Sequence, residues 1–315
     1  MTDKRARKTA EETTDDATLG EWLATSVVEA ADTGELPVLE WRLKPVFARP
    51  TPAQYLKELW GRRRFIWADA RARAYRSTRG TFLGWVWLIL SPFLNSMIFY
   101  IVFGLLLQTS RGIPNFLGYL VIGFNFFKVY RAALTKAGGI MRGSRNLIRA
   151  YVFPKGSLVI SWVLRSFLDF LPVMAATLLF LIVVPPHVIP TWRWLLIIPT
   201  VLVSYVFVLG LAFFTSALTS VLPDLKFVWP LIGRFWFYTS GIFFSVDRFA
   251  GLPAVMAVME ANPGYVYLSI SRDLLIYQTV PPLGTWLYFC SWAVLMLALG
   301  FTIFWMFEDK HGENL

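Results

Sequence analysis

Polar and apolar positions fall in long blocks along this 315-residue chain. Between Leu59 and Tyr75, apolar residues recur at helical spacing: Leu59 and Trp60, Ile66 and Trp67, Ala70, then Ala74 and Tyr75. Among and after them stand Arg62, Arg63, Arg64, Arg71, Arg73, Arg76 and Arg79, against a single acid, Asp69. The pattern predicts a basic amphipathic helix over residues 51–80, suited to the headgroup layer of an anionic leaflet. From Phe82 to Leu107 no charge appears, and at 1.5 Å per residue that run can cross a hydrocarbon core of about 30 Å. Further apolar blocks, separated by polar or Pro-rich breaks, predict spans over 115–137, 158–184, 194–221, 227–246 and 283–307. The breaks include Pro185-Pro186 and the tight turn Leu222-Pro-Asp-Leu-Lys226.

Two apolar pieces between Asp247 and Pro282 are each too short to span, with Asn262-Pro263-Gly264 between them. They predict a pair of short re-entrant helices hinged at that turn and entering from the outer face. The expected architecture is therefore an all-α polytopic protein of six transmembrane helices with an interfacial helix in front. Basic residues cluster before the first span and over Lys136 to Lys155, which places both termini in the cytoplasm. Lys128 and Arg131, near the inner end of span two, can snorkel.

Composition agrees with membrane insertion. Only 16% of residues are charged, 56% are hydrophobic and mean hydropathy is +0.54, whereas soluble domains carry about 25% charged residues. The net charge of +10 conceals an asymmetry: residues 1–40 hold four basic and ten acidic side chains, leaving +16 elsewhere. Residues 1–50 read as an acidic, disordered cytoplasmic tail, and 81–315 as the transmembrane domain. Basic loops on one membrane face account for the positive balance, so nucleic-acid binding is rejected. Cys290, the single cysteine, excludes an internal disulfide.

Catalytic chemistry has no visible seat. His187 and His311 have no metal-type neighbours in sequence, and no Asp-x-Asp or Gly-Lys dipeptide occurs. A metal site, a sugar-nucleotide transferase and a phosphate-cradling loop are thereby disfavoured. Arg165 and Asp169 stand four apart in span three and can neutralise each other. Arg234 in span five either faces an anionic headgroup or snorkels. Aromatic residues are dense in spans one and five. Rings such as Tyr100, Trp236 and Tyr238 could stack on sugar faces, while an interface belt explains most of the others. Trp236 and Tyr238 are about 200° apart around a helix, so only one can face a path. The stretch Ser144 to Lys155 is a basic amphipathic segment, with Arg145, Asn146, Ile148 and Arg149 ahead of Phe153-Pro154, suited to a groove in a soluble partner.

Four of these stretches, taken together, resemble the permease subunits of ABC-2 type polysaccharide exporters. They are Arg76-Ser-Thr-Arg-Gly-Thr-Phe-Leu-Gly84 with Trp87 and Pro92; Gly123-Phe-Asn-Phe-Phe127; Asn146-Leu-Ile followed by Phe153-Pro154-Lys155; and Asn262-Pro263 followed by Arg272 and Leu274-Leu275. They fall in family order across about residues 55–310, and the acidic tail departs from the pattern. The resemblance implies an exporter of polyprenyl-diphosphate-linked glycan (O-antigen, teichoic acid or cell-wall galactan) in a bacterial cytoplasmic membrane. It further implies a homodimer driven by two separate ATPase subunits, which carry the ATP and magnesium, so that this chain holds no cofactor and is no enzyme. In that picture Ser144–Pro154 couples to the ATPase, the path runs by Tyr100, Trp236, Tyr238 and Arg234, and Asn262, Pro263 and Gly264 gate its outer end. Anionic lipids attend the basic helix. An ABC-2 exporter of a drug or small lipid is the alternative. A secondary carrier lacks the linked acids it would need, and a membrane transferase lacks catalytic groups.

Overall fold

In the computed structural model, residues 51–77, 84–106, 113–151, 153–249 and 251–308 are described, all within the unit Pro50–Leu315. The acidic tail and residues 78–83 of the Arg76–Gly84 stretch lie outside them. Helix is the only regular secondary structure among the described residues. Three helical stretches, Gly156–Val183, Trp192–Val221 and Leu283–Met306, are long and apolar enough to cross a membrane, with mean hydropathies of 2.2, 2.5 and 2.0. The protein is an all-helical, multi-pass membrane protein.

The expected basic helix is two helices. Thr51 caps α1 (Pro52–Gly61) in a reciprocal pair with Gln54, and Pro52 opens its first turn. A one-residue turn at Arg62, directly after Gly61, separates it from α2 (Arg63–Ser77). Neither helix simply floats in a headgroup layer. Tyr55, Leu59, Ile66 and Ala70 are buried against the rest of the protein, leaving Trp60 and Trp67 exposed. The apolar stripe read from the sequence is thus shared between the protein core and the outside.

Next come α3 (Gly84–Phe99), which widens into a π-helical stretch over Tyr100–Leu106, and α4 (Phe116–Lys136), capped by the Asn115 carboxamide. The short helices α5 (Ile140–Gly143) and α6 (Arg145–Ala150) lead to α7 (Gly156–Val183). A single 3-10 turn, Trp192–Leu196, opens α8 (Ile197–Val221), and α9 (Leu225–Thr239) follows. Then come α10 (Pro253–Glu260), α11 (Pro263–Arg272) with a π-helical end over Asp273–Tyr277, and α12 (Leu283–Met306).

The fifth apolar block predicts a span to Val246, and the helix within it, α9, ends earlier, at Thr239. Its 15 residues reach only about 22 Å at 1.5 Å per residue. Gly241 adopts φ +64°, a left-handed turn that suits glycine. The carbonyls freed by the turn are captured from outside the helix. Tyr119 Oη donates to Gly241 O (2.9 Å) and Phe244 O (2.8 Å), and Arg272 Nη1 donates to Gly241 O (2.9 Å).

Helices α8 and α12 cross at glycines. A Cβ on Gly300 would lie 2.0 Å from Gly210 O, and one on Gly210 would lie 2.4 Å from Leu297 N. Lipid tails are as apolar as a protein core, so close backbone approach and dispersion hold such a crossing together in place of hydrophobic expulsion.

Candidate functional site

Two regions gather the residues singled out by sequence. The first surrounds α6. Arg145, Asn146 and Arg149 project outward, while Leu147 and Ile148 are half-buried and Ser144 is buried. With Pro154 buried and Phe153 half-buried beyond it, the segment presents a basic face on an anchored apolar base. Beside it, Arg62, Phe65, Leu147, Tyr151 and Phe153 line an apolar recess of about 260 Å³, and the rings of Phe65 and Phe153 stand 6.4 Å apart. The start of the basic helices and the basic α6 segment, separate in the sequence, meet at this recess. Arg62, Arg63, Arg64, Arg71 and Arg73 are exposed along these helices, and Arg63 lies over the Trp60 ring at 5.6 Å. Arg76 belongs to α2, but its side chain is outside the described ones.

Asp69 is what ties α2 down. Arg73 Nε donates to it at 2.7 Å, and its other oxygen accepts from Ser161 Oγ on α7. Below, Tyr55 Oη donates to Glu308 Oε1 (2.9 Å) and accepts from Gly156 N (2.9 Å), while the Lys155 backbone N–H donates to the same carboxylate oxygen (3.0 Å). Lys155 Nζ also donates to Glu308 O (2.6 Å). Burial and the Glu308 carboxylate raise the Tyr55 phenol well above its ordinary value, so it remains a neutral donor. This knot joins α1, the start of α7 and the end of α12. Sequence reasoning missed it, because an isolated tyrosine and an isolated glutamate 253 residues apart carry no local signal.

The second region is the α10–α11 hairpin. Its tip, Asn262-Pro263-Gly264, sits beside Phe127, about 16 Å along α4 from the Phe116 end. Asn262 Oδ1 caps α11 through Gly264 N (2.9 Å) and accepts from Trp236 Nε1 (2.6 Å), and its Nδ2 donates to Ser240 Oγ (3.1 Å). Gly264 has no room for a side chain, since a Cβ would stand 2.9 Å from Phe127 and 3.0 Å from Trp236 Nε1. The tip expected to gate the outer end is hydrogen-bonded to one of the expected path rings. Trp236 stacks on Tyr130 at 5.4 Å with 11° between the planes. Tyr238 is 48% exposed and Arg234 is exposed, while Tyr100 is half-buried and lies 6.3 Å from Phe116.

The two rings of α9 thus separate by environment. Truncating Trp236→Ala removes a packed ring and one of the two donors to Asn262 Oδ1, and should cost about 3–5 kcal/mol; folded yield of the purified protein measures it. Tyr238→Ala should leave the yield near that of the parent protein.

Arg272 is almost fully buried beneath this hairpin. It donates to Gly241 O and to Tyr119 O (3.3 Å), and its guanidinium lies 3.3 Å from the Tyr119 ring centroid. The pairing thus uses carbonyls and a π-face, a cation–π contact that gains strength when desolvated. Arg165 and Asp169 are paired at 3.5 Å. Among the described residues no three His, Cys, Asp or Glu side chains gather as a metal site.

No family model matches the chain. It is similar to the O-antigen export system permease protein RfbA of Myxococcus xanthus, 22% identical over 238 residues, covering 75% of this chain and 90% of the relative. A protein of the same name from Klebsiella pneumoniae is 25% identical over 240 residues, covering 75% of this chain and 89% of that protein. Another from Klebsiella pneumoniae is 26% identical over 170 residues, or 54% of this chain and 64% of its own length.

Proposed function

We propose that this chain is an ABC-2 type permease, the membrane-spanning subunit of an exporter carrying polyprenyl-diphosphate-linked polysaccharide, of the O-antigen, teichoic acid or cell-wall galactan kind, across a bacterial cytoplasmic membrane. The observation that carries the reading is the alignment with O-antigen export permeases over about nine-tenths of their length. In this reading α3, α4, α7, α8, α9 and α12 are six spans, the α10–α11 hairpin is re-entrant, and both termini are cytoplasmic. Two copies pair, and two ATPase subunits holding ATP and magnesium dock on the α6 surface. Transport, not covalent chemistry, is this chain's task.

The geometry supplies a route for force. α6 leads through Phe153-Pro154 into α7, whose first residue is bonded to Tyr55 of α1, and α2 is held to α7 by Asp69. A push on α6 therefore reaches the entrance helices and α7 together. Arg145→Glu with Arg149→Glu should abolish co-purification of the ATPase or uncouple its turnover from export, with membrane insertion preserved because both side chains are exposed. Unchanged coupling and co-purification would reduce the segment to a solvated loop. Substrate class is tested in inverted vesicles holding this chain and its ATPase. ATP should drive uptake of polyprenyl-diphosphate glycan; uptake of a small lipid or drug alone would favour the alternative exporter.

A further inference from the structure

A groove of about 350 Å³ runs between α4 and α7, apart from both regions above. Its α4 wall carries Asn125, Lys128 and Lys136, and its α7 wall carries Trp162, Arg165 and Asp169. Their spacings of three, four or seven residues, or near multiples of a turn, put each set on one helix face. The charges do not balance: three cations meet one carboxylate, and that carboxylate already pairs with Arg165. Lys128 and Lys136 have no ion-pair partner among the described residues. Lys136 stands at the end of α4 and reaches a membrane surface with ease. Lys128, expected from the sequence to snorkel, is instead two turns deeper, about 12 Å along the axis, which is beyond the reach of a lysine side chain. An ionised group at that depth defaults to function, because lipid cannot solvate it.

Asn125 is a second and independent sign. It is only 1% exposed and lines the deep end of the groove. Thr177 Oγ1 donates to Val173 O (2.8 Å), so it accepts from Asn125 Nδ2 (2.7 Å), and that orients the carboxamide. The oxygen, Asn125 Oδ1, is left buried without a donor. A buried acceptor without a partner costs about 1–3 kcal/mol, a cost that a ligand hydroxyl would remove.

We infer that the α4–α7 groove binds the phosphate headgroup of a lipid, with phosphate oxygens at Lys128, Lys136 and Arg165 and a headgroup hydroxyl donating to Asn125. The net double positive charge matches one or two phosphate groups, and the acceptor beyond it matches the glycerol or sugar that such a phosphate carries. A groove walled by two neighbouring helices leaves the acyl or prenyl chain outside, in the bilayer. The inference rests on the proposed topology, in which α4 and α7 cross the membrane with Lys136 at the cytoplasmic side. The same chemistry belongs to an anionic phospholipid and to the proposed polyprenyl-diphosphate cargo.

The test is lipid retention by the full chain in detergent, read by native mass spectrometry, for the parent protein and Lys128→Gln with Lys136→Gln. The parent should retain phosphatidylglycerol over phosphatidylcholine, and the double variant should bind phosphatidylglycerol at least about tenfold more weakly, with phosphatidylcholine unaffected. Thermal melting of the variant checks that it folds, and Arg165→Lys, which keeps the charge, should retain the lipid. Polyprenyl diphosphate added in competition identifies the source. Displacement of phosphatidylglycerol from the parent assigns the groove to cargo, and no displacement assigns it to a resident lipid. Equal phosphatidylglycerol retention by the parent and the double variant would overturn the site. Export is not read here, so failed transport would count against the proposed function and leave the groove intact.

Discussion

Gly300→Val is expected to abolish folded protein, with no monodisperse peak after detergent extraction. The Cβ alone would lie 2.0 Å from the Gly210 carbonyl oxygen, which is backbone and cannot swing aside. α8 and α12 must then separate along their length or rotate, and either movement forfeits the packing that substitutes for hydrophobic expulsion within lipid. Overpacking typically costs about 1–3 kcal/mol where side chains can give; here the obstacle is backbone, so a larger loss is expected. Gly284→Val on the same helix is the control, because nothing lies within 4 Å of a Cβ there. Equal yields from the two variants would remove the glycine crossing from this account.

Asn262→Ala is expected to destabilise the protein by about 2–4 kcal/mol, combining a lost helix cap with a stranded Trp236 N–H. The residue has three roles: it caps α11, accepts from Trp236 and donates to Ser240. Asn262→Asp keeps both acceptor contacts and gives up the donation to Ser240, so it should recover most of the thermal stability. If Asn262 served only as a gate, alanine would change export while melting temperature and yield stayed put. Melting curves and ATP-driven export of both variants separate the two roles.

Much of the helical layout was legible because its punctuation is local. Charge-free runs, Pro185-Pro186, the Leu222–Lys226 turn and the Asn262 cap each act within a few residues of themselves. Helices α4, α7, α8 and α12 accordingly begin and end close to the apolar blocks. The end of α9 was not legible. Apolar residues continue from Ile242 to Val246, so hydrophobicity carries no stop signal, and the turn at Gly241 depends on donors from Tyr119 and Arg272, far away in the chain. The same holds for the aromatic residues. A 200° separation says that Trp236 and Tyr238 differ, but only the hairpin tip decides which is enclosed. The α4–α7 groove was half visible: Lys128 and the Arg165–Asp169 pair stood out, whereas their convergence on Asn125 depends on how two helices pack.

The knot of Tyr55, Gly156 and Glu308 has a consequence in time. Glu308 follows Tyr55 by 253 residues, and at about 5–20 residues per second synthesis takes on the order of tens of seconds to reach it. Throughout that interval α1 has its Gly156 contact at best and lacks the carboxylate that completes the site. The Tyr55 site is therefore completed last, after α12 has been made. Until then α2 is held to α7 through Asp69 and Ser161, while α1 waits for the far end of the chain.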